Sequence, residues 1–194
     1  ALLACKMCPE PVRKVVFTLY GSFSKTYHGH GTDRALLGGI LGFHTDDARI
    51  RDAFEWAEKM GVEYEFVIDE ETKTDHPNTA DMDITGVNGY RLSVRGESIG
   101  GGKIKIVRIN GIDVEFTGEY STLIVRQIDK PGVVAHITQC LSKEEVNIAF
   151  MRLFREDKGA TAFTVVESDE QIPEEILAEI QKNEHVQDLM LVQM

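Results

Sequence analysis

An apolar run that breaks into glycine and histidine, then resumes in small apolar residues, constrains this chain more than any other feature. Val15-Val16-Phe17-Thr18-Leu19-Tyr20 reads as a buried strand, and Ala35-Leu36-Leu37-Gly38-Gly39-Ile40-Leu41 as a helix that packs closely. Between them, Gly21-Ser22-Phe23-Ser24-Lys25-Thr26-Tyr27-His28-Gly29-His30-Gly31-Thr32-Asp33 reads as a strand-to-helix loop with three glycines, two histidines and several hydroxyls. Glycine permits positive φ and close approach to a ligand. Thr32 is placed as an N-cap, where amide N–H groups attract an anion such as a carboxylate. Histidine moves protons near neutral pH. The same residues also fit a plain tight turn, with Asp33 complementing the helix dipole.

Around this segment the chain reads as two regions. Ala1–Met7 is the end of a helix expected to have begun upstream, since the chain opens on Ala1, and Pro9 and Pro11 end it before a strand over Val12–Tyr20. Helices follow over 32–41 and, amphipathically, over 48–60, with Ala53, Phe54, Trp56, Ala57 and Met60 near one face and Gly61 as the stop. Val62–Ile68 alternates like a half-solvated strand, and further strands cover 80–86, 92–96, 103–109 and 112–116. Asn88-Gly89 suits a type I′ hairpin turn, and Asn110-Gly111 is a second Asn-Gly turn. His76-Pro77-Asn78-Thr79 enters a strand, and by itself His76 fits a surface histidine before a proline. Ser98-Ile99-Gly100-Gly101-Gly102-Lys103 fails as a phosphate loop: Glu97 stands where the first glycine belongs and Ile104 where the metal-binding hydroxyl belongs. A hairpin or bulge fits it better.

Thr117-Gly118-Glu119 marks a junction, with domains expected over 1–117 and 118–194. Beyond it, strands over 120–128, 147–154, 160–167 and 186–192 and helices over 133–143 and 174–182 give the order βαββαβ, a ferredoxin-like arrangement. Asp129-Lys130-Pro131-Gly132-Val133 with Val146-Asn147-Ile148-Ala149 resembles an ACT domain, a small-molecule sensing module of amino-acid metabolism.

Tyr20–Thr26, Gly29-His30-Gly31-Thr32-Asp33, His76-Pro77-Asn78-Thr79 and Ser98–Gly102, in this order, closely resemble the beta chain of the iron–sulfur-dependent bacterial L-serine dehydratases. The resemblance covers nearly the whole chain. It implies an α+β fold: a mixed α/β domain of the serine-dehydratase beta type, its N-terminal part missing, and a C-terminal ACT domain. It also implies dehydration of L-serine to pyruvate and ammonia, with His30 as the base and His76 positioning substrate or relaying protons. Ser22, Lys25, Thr26, Gly31, Thr32, Asp33 and Asn78 are implied in substrate binding, and His28 is read as peripheral. In the second region, Asp129, Lys130, Gly132, Val133 and Asn147 are implied in effector binding, at the interface of a homodimer formed through the ACT domain. Set against the serine site of bacterial phosphoglycerate dehydrogenase, Asn147 matches a ligand-binding Asn, Gln127 replaces a His and Asp129 replaces an Asn. A purely structural dimerisation role also fits.

Clusters of this kind are held by cysteine thiolates. The chain has three cysteines, and the family's N-terminal Ser-Ser-Ser-His-Thr motif is absent. The resemblance therefore implies that a [4Fe-4S] cluster sits on a cysteine-bearing alpha subunit, that this chain holds no metal, and that alone it is inactive. Cys5 and Cys8, spaced C-x-x-C, fit one buried helix face better than a redox or metal pair, and Cys140 fits a core position. Few cysteines point to a reducing cytoplasm. A net charge of −11 argues against nucleic acid and anionic membranes, no run spans a bilayer, and no signal-peptide pattern is visible. The second reading is a non-catalytic amino-acid-sensing or assembly module.

Overall fold

The computed structural model describes residues 1–193 and divides into two compact units, Ala1–Gly111 and the segment from Ile112 onward. Met194, the last residue of the expected ACT segment, lies outside the described residues.

The first unit is a sheet with helices against one face. Helix α1 (Leu2–Met7) leads to strand β1 (Val12–Tyr20), whose alternate residues Val15, Phe17 and Leu19 are fully buried. Burying one such side chain contributes about 1.5–3 kcal/mol. Helix α2 (Gly21–Thr26) follows without a gap, so half of the expected loop is helical. Its hydroxyls replace an apolar pattern as the local support: Ser24 Oγ donates to the Gly21 carbonyl and Thr26 Oγ1 to the Ser22 carbonyl.

Helix α3 (Thr32–Ile40) carries the small-residue run. At Gly39 a Cβ would stand 2.8 Å from the Ala1 Cβ, so the small residue is what lets α1 and α3 close on each other. The helix expected over 48–60 is instead a 3₁₀ turn, Ala48–Asp52, followed by α4 (Ala53–Met60). Asp47 causes the tight start by accepting both the Arg49 amide and its guanidinium. Ala53 and Ala57 are buried as expected, whereas Met60 is exposed.

Strands β2 (Glu63–Asp69), β3 (Thr79–Gly86), β4 (Arg91–Gly100) and β5 (Lys103–Ile109) complete the unit, in the order β2-β1-β3-β4-β5. β2 runs parallel to β1, and β3, β4 and β5 pair antiparallel in succession. Because β2 is an edge strand, its alternation does not bury one face, and Tyr64, Val67 and Ile68 are all exposed. Asn110 and Gly111 both take positive φ, as a type I′ turn demands; Asn88 does not, and only Gly89 is left-handed there. The Glu10 carboxylate accepts the amides of Asn88 and Tyr90 and fixes a different turn. Gly100, Gly101 and Gly102 form the left-handed tip between β4 and β5, the hairpin expected of that run.

The second unit opens with β6 (Ile112–Phe116), which packs against β8 (Phe150–Arg155) and β9 (Thr161–Ser168). With β7 (Ser121–Ile128), α5 (Val133–Lys143), α6 (Glu175–Ile180) and β10 (Val186–Val192) the expected βαββαβ order appears. The sheet order is β10-β7-β9-β8, antiparallel throughout. Val133, Ile137 and Leu141 of α5 and Ile176 and Ile180 of α6 bury against Leu123, Val125 and Val166 of the sheet. β8 begins later than expected, which leaves Asn147 in the connection before it. Among the described residues no helix is long and apolar enough to cross a membrane.

Candidate active site

Three separated motifs meet at one end of the first unit's sheet. β1 ends at Tyr20 and β3 begins beside it, since Leu19 is registered with Ala80. The Ser22 amide donates to the Pro77 carbonyl at 2.6 Å, joining the start of α2 to the segment before β3. Gly21 is left-handed there (φ +56°), and a Cβ would lie 2.5 Å from the Pro77 oxygen. On the other side, the Ser98 amide donates to the Asn78 carbonyl and Asn78 Nδ2 reaches the Ser98 carbonyl at 3.5 Å. Gly21-Ser22, His76-Pro77-Asn78 and the Ser98 end of the glycine hairpin are thus locked together by backbone bonds.

His76 is half-buried, and its Nδ1 accepts the Asn78 amide at 3.2 Å. An accepting Nδ1 places the proton of the neutral ring on Nε2. The side chain is therefore oriented as a donor. Thr74 and Thr79 hydroxyls both donate to the His76 carbonyl and fix its backbone.

His30 sits on the exposed turn between α2 and α3. Its amide donates to the Thr26 carbonyl, and the Thr32 amide donates to Tyr27 across the turn. Lys25 and Ser22 are exposed on α2. The cap of α3 is Gly31, left-handed at φ +69°, and not Thr32, which is the first helical residue and makes no side-chain cap bond. A left-handed residue at the turn leaves the threonine one position too late.

Asp33 is buried and committed: its Oδ2 stands 2.7 Å from His28 Nδ1, and its Oδ1 accepts the Arg34 amide. His28 is therefore not a loose neighbour. A carboxylate on Nδ1 leaves the Nε2 lone pair outward in the neutral ring. The bond also pins the turn that presents His30. Tyr27 stacks on Phe66 of β2 and meets the His28 ring at a tilt of 47°.

A further cluster adjoins the site. The Tyr20 hydroxyl donates to Asp81 at 2.8 Å, and Arg95 grips the same carboxylate through Nε (2.6 Å) and Nη2 (2.7 Å). Burial, and then the Asp81 hydrogen bond, push the Tyr20 phenol up to about 12. Alternation along β3 and β4 was the available signal, because it sets Asp81 and Arg95 opposite each other on the face away from Met82 and Val94.

In the second unit the expected effector residues do not converge within one chain. Asp129 follows β7, beside the Thr161 end of β9, where Arg155 Nη1 and the Gly159 amide bond its carboxylate. Those bonds, the amide's foremost, hold its carboxyl below the usual range. Lys130 and Gly132 are exposed, while the Val133 side chain is in the core. Asn147 is exposed near the opposite end of β9, where the Ala149 amide bonds the Glu167 carbonyl. Six residues of strand, about 20 Å, separate the two ends.

The cysteines do not fit an iron–sulfur cluster. Cys8 is buried and Cys5 half-buried at α1, Cys140 is in the core of the second unit, and burial raises all three thiols above their ordinary range. A cluster is held by several cysteine thiolates gathered at one place, and this chain brings only Cys5 and Cys8 to one element while Cys140 belongs to the core of the second unit. Among the described residues, no three His, Cys, Asp or Glu side chains gather to hold a metal ion.

The family model for the serine dehydratase beta chain matches residues 2–107, and that for the ACT domain matches residues 121–185. The chain is 40% identical to the probable L-serine dehydratase beta chain of Bacillus subtilis (strain 168), over 89% of this chain and 77% of that one. It is 39% identical to the L-serine dehydratase beta chain of Peptoniphilus asaccharolyticus, over 93% and 81%. It is also 25% identical to the D-3-phosphoglycerate dehydrogenase of Bacillus subtilis (strain 168), over 92% of this chain and 34% of that one.

Proposed function

The chain belongs to the serine dehydratase beta chain family and carries an ACT domain, and from that premise we propose that it is the beta subunit of an L-serine dehydratase. The observation that carries this reading is the convergence of Gly21-Ser22, His76-Pro77-Asn78 and Ser98 at one end of the sheet. The functional domains divide at 117/118, and the assembled enzyme works in the cytoplasm.

In the reaction a base takes the Cα proton of L-serine and the hydroxyl leaves as water. The resulting aminoacrylate tautomerises to an imine, and water converts that to pyruvate and ammonia. His30 is the base: glycines flank it, so no adjacent side chain covers the ring, and an imidazole is a competent base near neutrality. His76, oriented as a donor, positions substrate or relays the proton. Ser22, Lys25, Thr26 and Asn78 line the approach, Gly31 offers its backbone amide and Thr32 its hydroxyl to the carboxylate, and Asp33 acts from beneath through His28. A [4Fe-4S] cluster would be held by cysteine thiolates of an alpha subunit and not by this chain, and would supply Lewis acidity toward the serine hydroxyl.

The ACT domain forms a homodimer that binds L-serine or another small amino acid as effector. Antiparallel pairing of β8 with β8 of a second copy would set the start of one against the end of the other. Asn147 of one copy would then approach the Arg155–Asp129 pair of its partner. Lys130, Gly132 and Val133 contribute through the start of α5.

A second reading, an amino-acid-sensing module without catalysis, is favoured by the likeness to a phosphoglycerate dehydrogenase across both units. Co-expression with the alpha subunit and anaerobic assay of pyruvate from L-serine separates the two: turnover supports the first, and serine binding without turnover supports the second.

A further inference from the structure

We propose that the outer edge of the first unit's sheet, β2 with the groove between it and α4, is the docking surface for a Lys/Arg-bearing extended segment of the alpha subunit. The proposal rests on the subunit reading above.

β2 has one strand neighbour, β1, so its other edge faces outward. Edge strands are ordinarily guarded by charged side chains, lysine above all, by proline or by a bulge, and the only guard here is acidic: Glu63, Glu65 and Asp69. β2 contains neither lysine nor proline, and its register with β1 is unbroken. Instead it exposes Tyr64 (40%), Val67 (38%) and Ile68 (39%), with Met60 (52%) just before it. Such a concentration of exposed apolar side chains beside unpaired backbone marks an interaction surface.

The groove beside the strand holds about 390 Å3 and is lined by Phe54, Glu55, Glu58, Val62, Glu63 and Tyr64. Phe54, Val62 and Tyr64 give it apolar wall, and Glu55, Glu58 and Glu63 add three carboxylates. The nearby Lys59 does not line it; that ammonium lies 4.9 Å from the Trp56 ring centroid and 4.0 Å from Glu55. Glu65 and Asp69 continue the negative sign along β2. A second copy of this chain would set acidic edge against acidic edge, and like charges directly opposite destabilise a strand pair. The complementary occupant is cationic, with apolar anchors for Tyr64 and Phe54.

Position strengthens the assignment. Rings run without a gap from the groove to the candidate site: Phe54 to Tyr64 (5.5 Å), Tyr64 to Phe66 (6.2 Å), Phe66 to Tyr27 (6.1 Å) and Tyr27 to His28 (5.4 Å). A chain seated on β2 therefore lies beside the turn that presents His30, where the alpha subunit has to complete the site.

The test is association of this chain with the alpha subunit, assembled anaerobically and followed by sedimentation. Glu58→Lys/Glu63→Lys should weaken Kd at least tenfold and flatten its salt dependence, and Tyr64→Ser should weaken it further. In the wild-type complex the amides of residues 63–69 should exchange more slowly than in the isolated chain. Unchanged exchange there, or a folded double variant that binds within twofold of wild type, overturns the proposal and leaves the subunit reading standing. Absence of any association by the wild-type chain overturns both. The exchange measurement needs no variant and decides the matter even where the substitutions disturb folding.

Discussion

A Cβ on Gly21 would stand 2.5 Å from the carbonyl oxygen of Pro77. The two residues are 56 positions apart (77 − 21) and belong to different motifs, yet they touch through backbone. Gly21→Ala therefore has to push Pro77 away and also hold a side chain at φ +56°. Strain of this kind costs about 1–3 kcal/mol. Denaturant unfolding of the variant should show at least that loss, and the reconstituted enzyme should lose turnover because Ser22 and His76 move apart. A variant as stable and active as wild type would mean that the contact does not organise the site.

His30 and His76 are assigned different tasks, and kinetics separates them. His30→Ala should lower kcat at least ~10²-fold, the low end for removing a general base. Its folded stability and the cluster absorbance of the complex should persist. His76→Ala should raise KM as well, because it removes an oriented donor. If His30→Ala stays within a few-fold of wild type while His76→Ala abolishes turnover, the base is His76.

Tyr20 gives a pH signature. Its phenol is pushed up to about 12, against an ordinary value of 10.0. A group whose pKa is raised on folding contributes stability that is fully present below its unfolded value and lost as pH rises through the folded one. Stability should therefore fall between pH 10 and about 12, and ultraviolet titration should show a late step near 12 from Tyr20. Tyr20→Phe should remove that late step and cost about 0.5–1.5 kcal/mol at neutral pH. A titration in which all tyrosines ionise together near 10 would contradict the Tyr20–Asp81 bond.

In the ACT domain, calorimetry with L-serine should show binding that Asn147→Ala weakens by about 1–3 kcal/mol. Leu153→Lys, on the exposed edge of β8, should give a monomer by sedimentation and abolish that binding. Strong binding by a monomer would place the effector site within one chain, against the separation of Asp129 from Asn147.

Much of this architecture was legible where a local pattern had no distant competitor. β1, β5, β6 and β10 and helix α5 fall on the residues their apolar periodicity marks, and Asn110-Gly111 makes the turn its residues favour. Distant or one-residue effects account for the rest. Glu10, 78 positions before Asn88, claims the hairpin amides and changes the turn type. Gly31 takes the cap that Thr32 suits, and Asp33 turns inward to His28. α2 has too little apolar residue to announce a helix, and its serine and threonine hydroxyls bond back to its own carbonyls. The motifs of the candidate site could each be read, but their meeting depends on strand register, which no single motif encodes.

The most direct test of the account is anaerobic reconstitution. Each subunit is purified separately, the alpha subunit with its cluster intact, and pyruvate and ammonia from L-serine are measured for each alone and for the mixture. This chain alone should give no turnover, and the mixture should give equimolar pyruvate and ammonia. Pyruvate from this chain alone, or none from a mixture shown to associate, would contradict the account.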